Sequence, residues 1–308
     1  MRGSNPKIEA FLTYLRDELA YSPLTQKLYR DGLDNWMLFV ARDEKNFDPQ
    51  EVTVNDIRAW VAQMSRHGNS AGTIKHRLCA VRALYRYLIK RCGATHNPAA
   101  NVRINRREKP LPKFIDSGEM AQILNSMDND AIDSNDFENI RNDLILNLFY
   151  QTGMRASELV GLTDARVDLS RNELKILGKR NKERVVPFGP SLRSIIEKYI
   201  SLRPLTFQSE VQQPFITDDE GNGLKYKKIY DLVHTMLDGR VSSVKRSPHV
   251  LRHTFATDML NGGANLTSVR ELLGHTSLAT TQIYTHVSIG ELYENYNRAH
   301  PRAKTGDK

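Results

Sequence analysis

The sequence predicts a mainly α-helical protein of two domains, with a small antiparallel sheet in the second domain. Apolar residues recur at helical spacing over most of the chain, one segment alternates at strand spacing, and a basic, proline-containing stretch at residues 97–114 separates the two halves. A chain of 308 residues is long enough to bury two hydrophobic cores. We therefore expect a helical bundle in residues 1–108 and a mixed α/β domain in residues 109–308.

The first domain is predicted to be a bundle of helices. Residues 7–40 place apolar side chains at helical spacing, and Ser22-Pro23 divides them in two, because proline starts a helix readily but does not continue one. Residues 53–66 and 73–91 repeat the helical pattern. These four segments would bury their apolar faces against one another.

The helix predicted at residues 73–91 has a basic face opposite its apolar face. A solvated surface is the plain alternative, but a stripe of one sign with almost no acidic partner fits phosphate contacts better. The residues we expect to contact DNA are those of this face and of the basic linker: Lys75, Arg77, Arg82, Arg86, Arg106 and Arg107.

The net charge of +8 lies entirely in the first third of the chain. Residues 1–110 contain 19 Lys and Arg against 11 Asp and Glu, whereas residues 111–308 contain 25 of each. A basic domain joined to a neutral one indicates a polyanionic partner held by the basic part. A protein that simply happens to be basic is the alternative.

Three features bear on where the protein works. No window approaches the roughly 18 apolar residues of a membrane span, and the first residues lack the apolar stretch of a signal peptide. The two cysteines, Cys79 and Cys92, lie in a predicted helix, which is typical of reduced, structural thiols. We expect a cytoplasmic protein outside the membrane.

In the second domain we predict helices at residues 117–127 and 138–150, with the acidic segment 128–136 between them as a solvated loop. Residues 173–188 alternate as two strands around a charged turn, which predicts a β-hairpin. From residue 191 onward the pattern is mainly helical, interrupted by a loop region at 204–225.

Two short motifs place cations at turns. Gly153 can end the preceding helix in a left-handed conformation, and Arg155 would then project from the turn, where its guanidinium could bind a phosphate through two hydrogen bonds. A capping arginine paired with Glu158 is the alternative. Lys179 lies at the tip of the predicted hairpin, where nearby positive charge could prepare it to donate a proton; a charged turn without function is the alternative.

His249 and Arg252 are three residues apart and would share one face of a helix. His249 and His253 also have the i, i+4 spacing of zinc ligands, but the glutamate of a zinc-protease helix is missing and no third ligand is evident. Further along the chain, His275 follows a glycine and Tyr284 comes nine residues later. Singly, each has an ordinary structural interpretation.

Together, in the order Arg155, Lys179, His249, Arg252, His275 and Tyr284, these residues match a signature of Arg, Lys, His-x-x-Arg, His or Trp, and Tyr. The sequence here resembles the tyrosine recombinase family, and most closely its Xer subgroup. The flanking segments that carry the resemblance are Thr152-Gly153-Met154-Arg155, Ser157-Glu158-Leu159, Gly178-Lys179, Asn181-Lys182-Glu183-Arg184, Ser247-Pro248-His249-Val250-Leu251-Arg252-His253, Leu273-Gly274-His275, Thr281-Gln282-Ile283-Tyr284-Thr285-His286 and His300-Pro301-Arg302-Ala303. One departure is Asp258, where many Xer proteins carry His, and the acidic segment is another.

The resemblance implies that the second domain is catalytic and that Tyr284 attacks a DNA phosphate, leaving a 3′-phosphotyrosine and a free 5′-hydroxyl. Arg155 and Arg252 would clamp the phosphate oxygens, and the two histidines of the signature would handle the proton of the nucleophile. Lys179 is the candidate acid for the leaving oxygen. No cofactor and no metal are expected, because the ester conserves the energy of the broken bond.

The resemblance also implies four protomers on two double-stranded DNA sites, either a homotetramer or a heterotetramer with a paralogue, with two exchanges through a Holliday junction. Resolution of chromosome dimers at cell division, in some systems with a DNA translocase, is the expected role. The apolar stripe of Ile289, Leu292, Tyr293 and Tyr296 would dock on a neighbouring protomer, although packing on its own core is an alternative.

Three other functions remain open at this point. A non-catalytic DNA-binding regulator would need the basic first domain but not the six-residue set. A type IB topoisomerase shares the tyrosine chemistry but would relax DNA without a preferred site. A transposon or phage integrase is the third, although the residues before the first predicted helix leave no room for the arm-binding domain of many phage integrases.

Overall fold

The computed structural model describes residues 5–41, 47–104, 114–134, 136–178, 182–204, 213–242, 246–274 and 289–303. Its contacts divide the chain into two compact units, Met1–Lys109 and Pro110–Lys308. We call them the N-terminal and the C-terminal unit and describe each by itself. Within the described residues, no helix is long and apolar enough to cross a membrane.

The described residues of the N-terminal unit form the predicted bundle. Its helices are α1 (Pro6–Asp17), α2 (Pro23–Val40), α3 (Val54–Arg66) and α4 (Ala71–Cys92). Each begins after a residue whose side chain accepts a backbone N–H of the first turn, namely Asn5, Ser22, Thr53 and Ser70. Such caps satisfy donors that a helix leaves unpaired at its start.

The core of the N-terminal unit forms around two tryptophans and the packing of α2 on α4. Trp36 and Trp60 are fully buried, and Nε1 of Trp60 donates to Oδ1 of Asn35 at 3.1 Å. Gly32 lets the two helices approach closely, because a Cβ there would lie 3.3 Å from the Cα of Arg77. The apolar face predicted from the sequence is therefore the face that makes this core.

The C-terminal unit combines helices with a three-stranded sheet, which confirms the predicted fold class. Its described elements are α5 (Ser117–Ser134), α6 (Phe137–Thr152), α7 (Ala156–Val160), β1 (Val167–Asp168), β2 (Glu173–Leu177), β3 (Glu183–Pro187), α8 (Pro190–Leu202), α9 (Tyr226–Leu237), α10 (Pro248–Asn261), α11 (Leu266–Leu273) and α12 (Ile289–Ala299). Helix α6 lies at the centre, because nearly all of its side chains from Ile140 onward are buried. It packs against α5, α8 and α10.

The sheet is antiparallel in the order β1-β2-β3, and the β2–β3 pair is the predicted hairpin. Leu174 pairs with Val186 and Ile176 pairs with Arg184, so these four side chains share the inward face. Strand β1 was not predicted, because two residues are too few to show alternation.

The acidic segment was wrongly predicted as a loop, because α5 continues through it to Ser134. Asp and Asn have modest helix propensity, but the cost per residue is only some tenths of a kcal/mol, about 0.7 at most. No glycine or proline occurs between residues 119 and 152 to end the helix. Propensity alone was too weak a signal for this boundary.

In this single chain, helix α12 packs on its own unit, which is the alternative left open by the sequence; docking on a neighbouring protomer stays a prediction. Leu292 and Tyr296 are buried in the same core as α6, and the hydroxyl of Tyr293 donates to the carbonyl of Arg171 at 2.7 Å. The His300 ring then stacks on Tyr296 with centroids 5.1 Å apart. Leu292 and Tyr296 of the apolar stripe are thus buried within their own unit.

Candidate active site

The turn after α6 depends on a glycine. Gly153 has φ of +60°, and a Cβ there would come within 2.5 Å of the Phe255 ring and 2.8 Å of the Leu273 side chain. Only glycine fits both this conformation and this space. The turn therefore brings residues 153–155 against α10 and the end of α11.

Arg155 is the residue that precedes α7, and it is paired with Glu158. Its backbone N–H donates to Oε2 of Glu158 at 2.8 Å, and its Nη1 donates to Oε1 at 2.7 Å. These are the contacts of the capping alternative. The side chain nevertheless remains 24% exposed, so the guanidinium is accessible from solvent.

Glu158 also binds a second arginine, which makes it the centre of the site. Arg184 donates from Nη1 and Nη2 to the two carboxylate oxygens of Glu158 at 2.9 and 2.7 Å. Burial by itself would raise the pKa of Glu158, but the hydrogen bonds and charge of Arg184, together with Arg155, lower it to about 2. The carboxylate is therefore ionised at any physiological pH.

Arg252 approaches the same place from α10. It is only 7% exposed, and its guanidinium donates to the carbonyls of Gly153 and Leu273. Burial, followed by the charges of Arg155 and Arg184, lowers the pKa of Arg252. Three arginines thus lie close enough to repel one another, and an anion placed among them would relieve that repulsion.

His249 lies in the first turn of the same helix, one turn before Arg252, and it is exposed to solvent. Partial burial and the charges of His253, Arg252 and Arg155 lower the pKa of His249. This shift favours the neutral imidazole, in which one ring nitrogen can accept a proton. Its electrostatic coupling to both Arg252 and Arg155 places it in the same cluster.

The structure thus brings together Arg155, His249 and Arg252 from the predicted set. The other three members, Lys179, His275 and Tyr284, lie outside the described residues. Their neighbours are described, however. Gly178 and Gly274 both lie beside Arg184, because a Cβ on either would come within 4 Å of its side chain.

Sequence reasoning gave no separate role to Arg184 and treated Glu158 only as a pairing partner. Both left a signal. A glutamate three residues after the start of a helix is the spacing of a capping box. Arg184 occupies an inward position of a strand, two residues before the buried Val186, and an inward-facing arginine needs a buried partner.

The predicted DNA contacts on α4 differ in their exposure. Lys75 and Arg86 are exposed on α4, and Arg77 is half-buried with Nη1 3.4 Å from Oδ1 of Asn69. Arg82 donates from Nε to the carbonyl of Ala99 at 2.8 Å and from Nη2 to that of Val102 at 2.6 Å. The remaining two residues, Arg106 and Arg107, lie outside the described residues.

His249 and His253 have the spacing of two zinc ligands on a helix. Across the parts of the chain that the structure describes, no group of three or more His, Cys, Asp or Glu side chains could hold a metal ion. The described site therefore consists of arginines around one buried carboxylate, with His249 near two of these arginines.

Comparison with known proteins agrees with this geometry. Residues 113–291 match the Phage integrase family, and residues 8–92 match the Phage integrase N-terminal SAM-like domain. Tyrosine recombinase XerC of Chlorobaculum parvum is 34% identical over 318 residues, which cover 96% of this chain and 94% of the relative. Tyrosine recombinase XerC of Pseudomonas fluorescens is 35% identical over 299 residues, which cover 97% of each.

A solved structure with the same fold is that of the XerH site-specific recombinase bound to palindromic difH substrate, a post-cleavage complex. It has a TM-score of 0.70 at 22% identity and covers 94% of this chain and 83% of that one. This chain therefore belongs to the phage integrase family, and the enzyme class that its full-length relatives define is that of the tyrosine recombinases. The resemblance drawn from the six-residue order is confirmed at this level.

Proposed function

We propose that this chain cuts and rejoins double-stranded DNA at a specific site through a 3′-phosphotyrosine on Tyr284, and exchanges two duplexes through a Holliday junction. The observation that carries the proposal is that Arg155 and Arg252 lie close to each other and to the buried carboxylate of Glu158, with His249 near both arginines. Such a cluster suits an anion that gains charge during a reaction.

The two arginines would hold the scissile phosphate. A guanidinium fork matches two oxygens of a phosphate, and charge builds on these oxygens as the tyrosine attacks in line. Arg252 is fixed by two backbone carbonyls and Arg155 by Glu158. Because both side chains are already held in place, little reorganisation would be needed when the phosphate arrives.

Three groups would handle protons. A free tyrosine has a pKa near 10, so Tyr284 needs cations nearby to attack at neutral pH. His249, whose pKa is lowered by burial and by nearby positive charges, would take the tyrosine proton, with His275 as the second histidine. Lys179 would donate a proton to the leaving 5′ oxygen. The energy of the cleaved bond is kept in the phosphotyrosine, so religation needs neither ATP nor a redox cofactor.

DNA binding would involve the exposed basic residues of α4, Lys75 and Arg86, in the part of the chain that carries the entire net positive charge. The XerH structure is described as bound to its difH substrate. We infer by analogy a tetramer on two sites, with identical subunits or a paralogue, acting on chromosomal DNA in the cytoplasm. Resolution of chromosome dimers at division, with a DNA translocase where one is required, is the role we propose.

The test is covalent trapping on a suicide duplex, a nicked synthetic DNA that carries a candidate chromosome-dimer resolution site of the host. Wild type, Tyr284→Phe and Tyr293→Phe are incubated with it in EDTA without ATP, and the products are separated on a denaturing gel. Tyr293→Phe is the matched control, because its hydroxyl contacts Arg171 and Glu173 in the described structure.

We expect a slow-migrating protein–DNA adduct with wild type and Tyr293→Phe and none with Tyr284→Phe. The proposal would be contradicted if the folded wild type binds this duplex, and duplexes selected from the host genome, without forming an adduct on any of them. That result would favour a regulator. An adduct that persists in Tyr284→Phe would assign the nucleophile elsewhere.

A further inference from the structure

Arg184 connects three elements of the C-terminal unit. It belongs to β3, it binds both carboxylate oxygens of Glu158 at 2.9 and 2.7 Å, and its Nε donates to the carbonyl of Leu272 at 2.7 Å. The guanidinium therefore joins the β2–β3 hairpin to the turn of Arg155 and to the end of α11. One planar side chain fixes the relative position of all three.

The backbone at the hairpin tip starts beside this guanidinium. The N–H of Gly178 donates to the carbonyl of Lys182 at 2.8 Å, which closes the tip. A Cβ on Gly178 would lie 3.8 Å from Nη1 of Arg184 and 4.0 Å from Oε1 of Glu158. Gly178 therefore lies beside Arg184, and Lys179 is the next residue in the sequence.

The shape of the side chain matters as well as its charge. Arg184 uses three donors in fixed directions, two toward the carboxylate and one toward Leu272, and its side chain is only 11% exposed. A lysine ammonium is a point charge on a flexible stem and does not reproduce this fork. Its hydrogen bonds point at Glu158 and Leu272, whereas Arg155 and Arg252 are the arginines proposed to hold the phosphate.

We infer that Arg184 is a positioning residue that holds the β2–β3 hairpin so that Lys179 reaches the leaving 5′ oxygen; this rests on the proposed function. In the cleavage step, Oη of Tyr284 bonds to phosphorus and its proton passes to a histidine of the site. The bond from phosphorus to the 5′ oxygen breaks, and that oxygen takes a proton from Lys179. A displaced hairpin slows this departure and leaves DNA binding intact.

The experiment compares two versions of the suicide duplex, one with the ordinary 5′ oxygen and one with sulfur in its place at the scissile bond. A thiol has a pKa near 8.5, so sulfur leaves as thiolate and needs no acid. Cleavage rates at saturating DNA and the Kd for DNA are measured for wild type, Arg184→Gln, Arg184→Lys and Arg166→Gln. Arg166 is the matched control, because it forms an ion pair with Glu183 of the same hairpin at 3.0 Å.

On the oxygen duplex we expect both Arg184 variants to cleave about 100-fold more slowly than wild type, as a misplacement of about 1 Å can cause. On the sulfur duplex the loss should shrink to about 10-fold or less, because the proton donor is bypassed. The Kd for DNA should stay within about 2-fold, and Arg166→Gln should match wild type throughout. A loss equal on both duplexes, or full activity in Arg184→Lys, would overturn the inference.

A second measurement does not depend on cleavage. Hydrogen exchange at the amides of Gly178 and of β2 and β3 should be faster in Arg184→Gln than in Arg166→Gln, because the hairpin has lost its attachment. Unchanged protection there would also overturn the inference. A wild type that forms no adduct on either duplex is a different result, and it would count against the proposed function alone.

Discussion

Replacing Glu158 by Gln tests the buried carboxylate that organises the site. The substitution keeps the size of the side chain and removes its charge. It leaves Arg184, whose side chain is 11% exposed, without its ionised partner, and it weakens the pairing of Arg155. We expect the C-terminal unit to lose stability, because an uncompensated buried charge remains.

The magnitude follows from the pKa of Glu158, which falls from 4.5 to about 2 in the folded protein. At 1.36 kcal/mol per unit, this difference corresponds to about 3 kcal/mol of stabilisation at neutral pH. For a unit the size of Pro110–Lys308, each kcal/mol shifts Tm by about 2–4 °C, so the variant should melt about 6–12 °C lower. Since the folded pKa lies below the unfolded one, the stabilisation is complete above pH 4.5 and is lost as the pH falls toward 2.

The assay is calorimetric unfolding of wild type, Glu158→Gln and Glu183→Gln between pH 7 and pH 3. Glu183 is a suitable control, because its carboxylate is more than half exposed and pairs only at the surface with Arg166. Both tryptophans of the chain, Trp36 and Trp60, lie in the N-terminal unit. Their fluorescence should therefore report an unchanged transition of that unit.

A Tm lowered by less than 2 °C in Glu158→Gln would refute the reasoning. A Tm lowered in Glu183→Gln by as much as in Glu158→Gln would refute it as well. The same holds for a difference between wild type and Glu158→Gln that does not shrink at low pH. Either result would mean that the carboxylate is not the ionised, buried partner that its contacts indicate.

Three further outcomes follow from the structure. Gly153→Ala should destabilise the C-terminal unit by about 2–4 kcal/mol in denaturant unfolding, because a Cβ would strain the backbone and collide with the Phe255 ring; a stability equal to wild type would contradict the turn geometry. Lys75→Gln with Arg86→Gln should weaken DNA binding and lower the salt slope of log Kd by about 1 per lost phosphate contact, whereas an Arg30→Gln control, paired with Glu9, should not change it. Burial lowers the pKa of His300 to about 4, below its unfolded value, so stability should fall as the pH drops from about 6.5 to 4; a His300→Gln variant with the same pH dependence would argue against a buried neutral imidazole.

The parts of the fold that local sequence determines were predicted well. The helices of the N-terminal unit, the β2–β3 hairpin and the His249–Arg252 pair each follow from residues close together in the chain, where spacing and capping carry the signal. The turn at Gly153 was predicted for the same reason.

The contacts that depend on distant residues were not predicted. The role of Arg184 appears only when β3, α7 and the end of α11 are brought together, and a charge pattern in one strand does not reveal which carboxylate it meets. The packing of Tyr296 on its own unit was likewise undetermined, because an apolar stripe predicts burial but not the surface that buries it.

The most direct test of the proposed chemistry is mass spectrometry of the trapped adduct. After digestion with nuclease and trypsin, the peptide from Glu271 to Arg298 contains Tyr284, Tyr293 and Tyr296. We expect the nucleotide phosphate on Tyr284 alone, and a released DNA end that carries a free 5′-hydroxyl. A phosphate on another tyrosine, or a released DNA strand that carries a 5′-phosphate, would contradict the account.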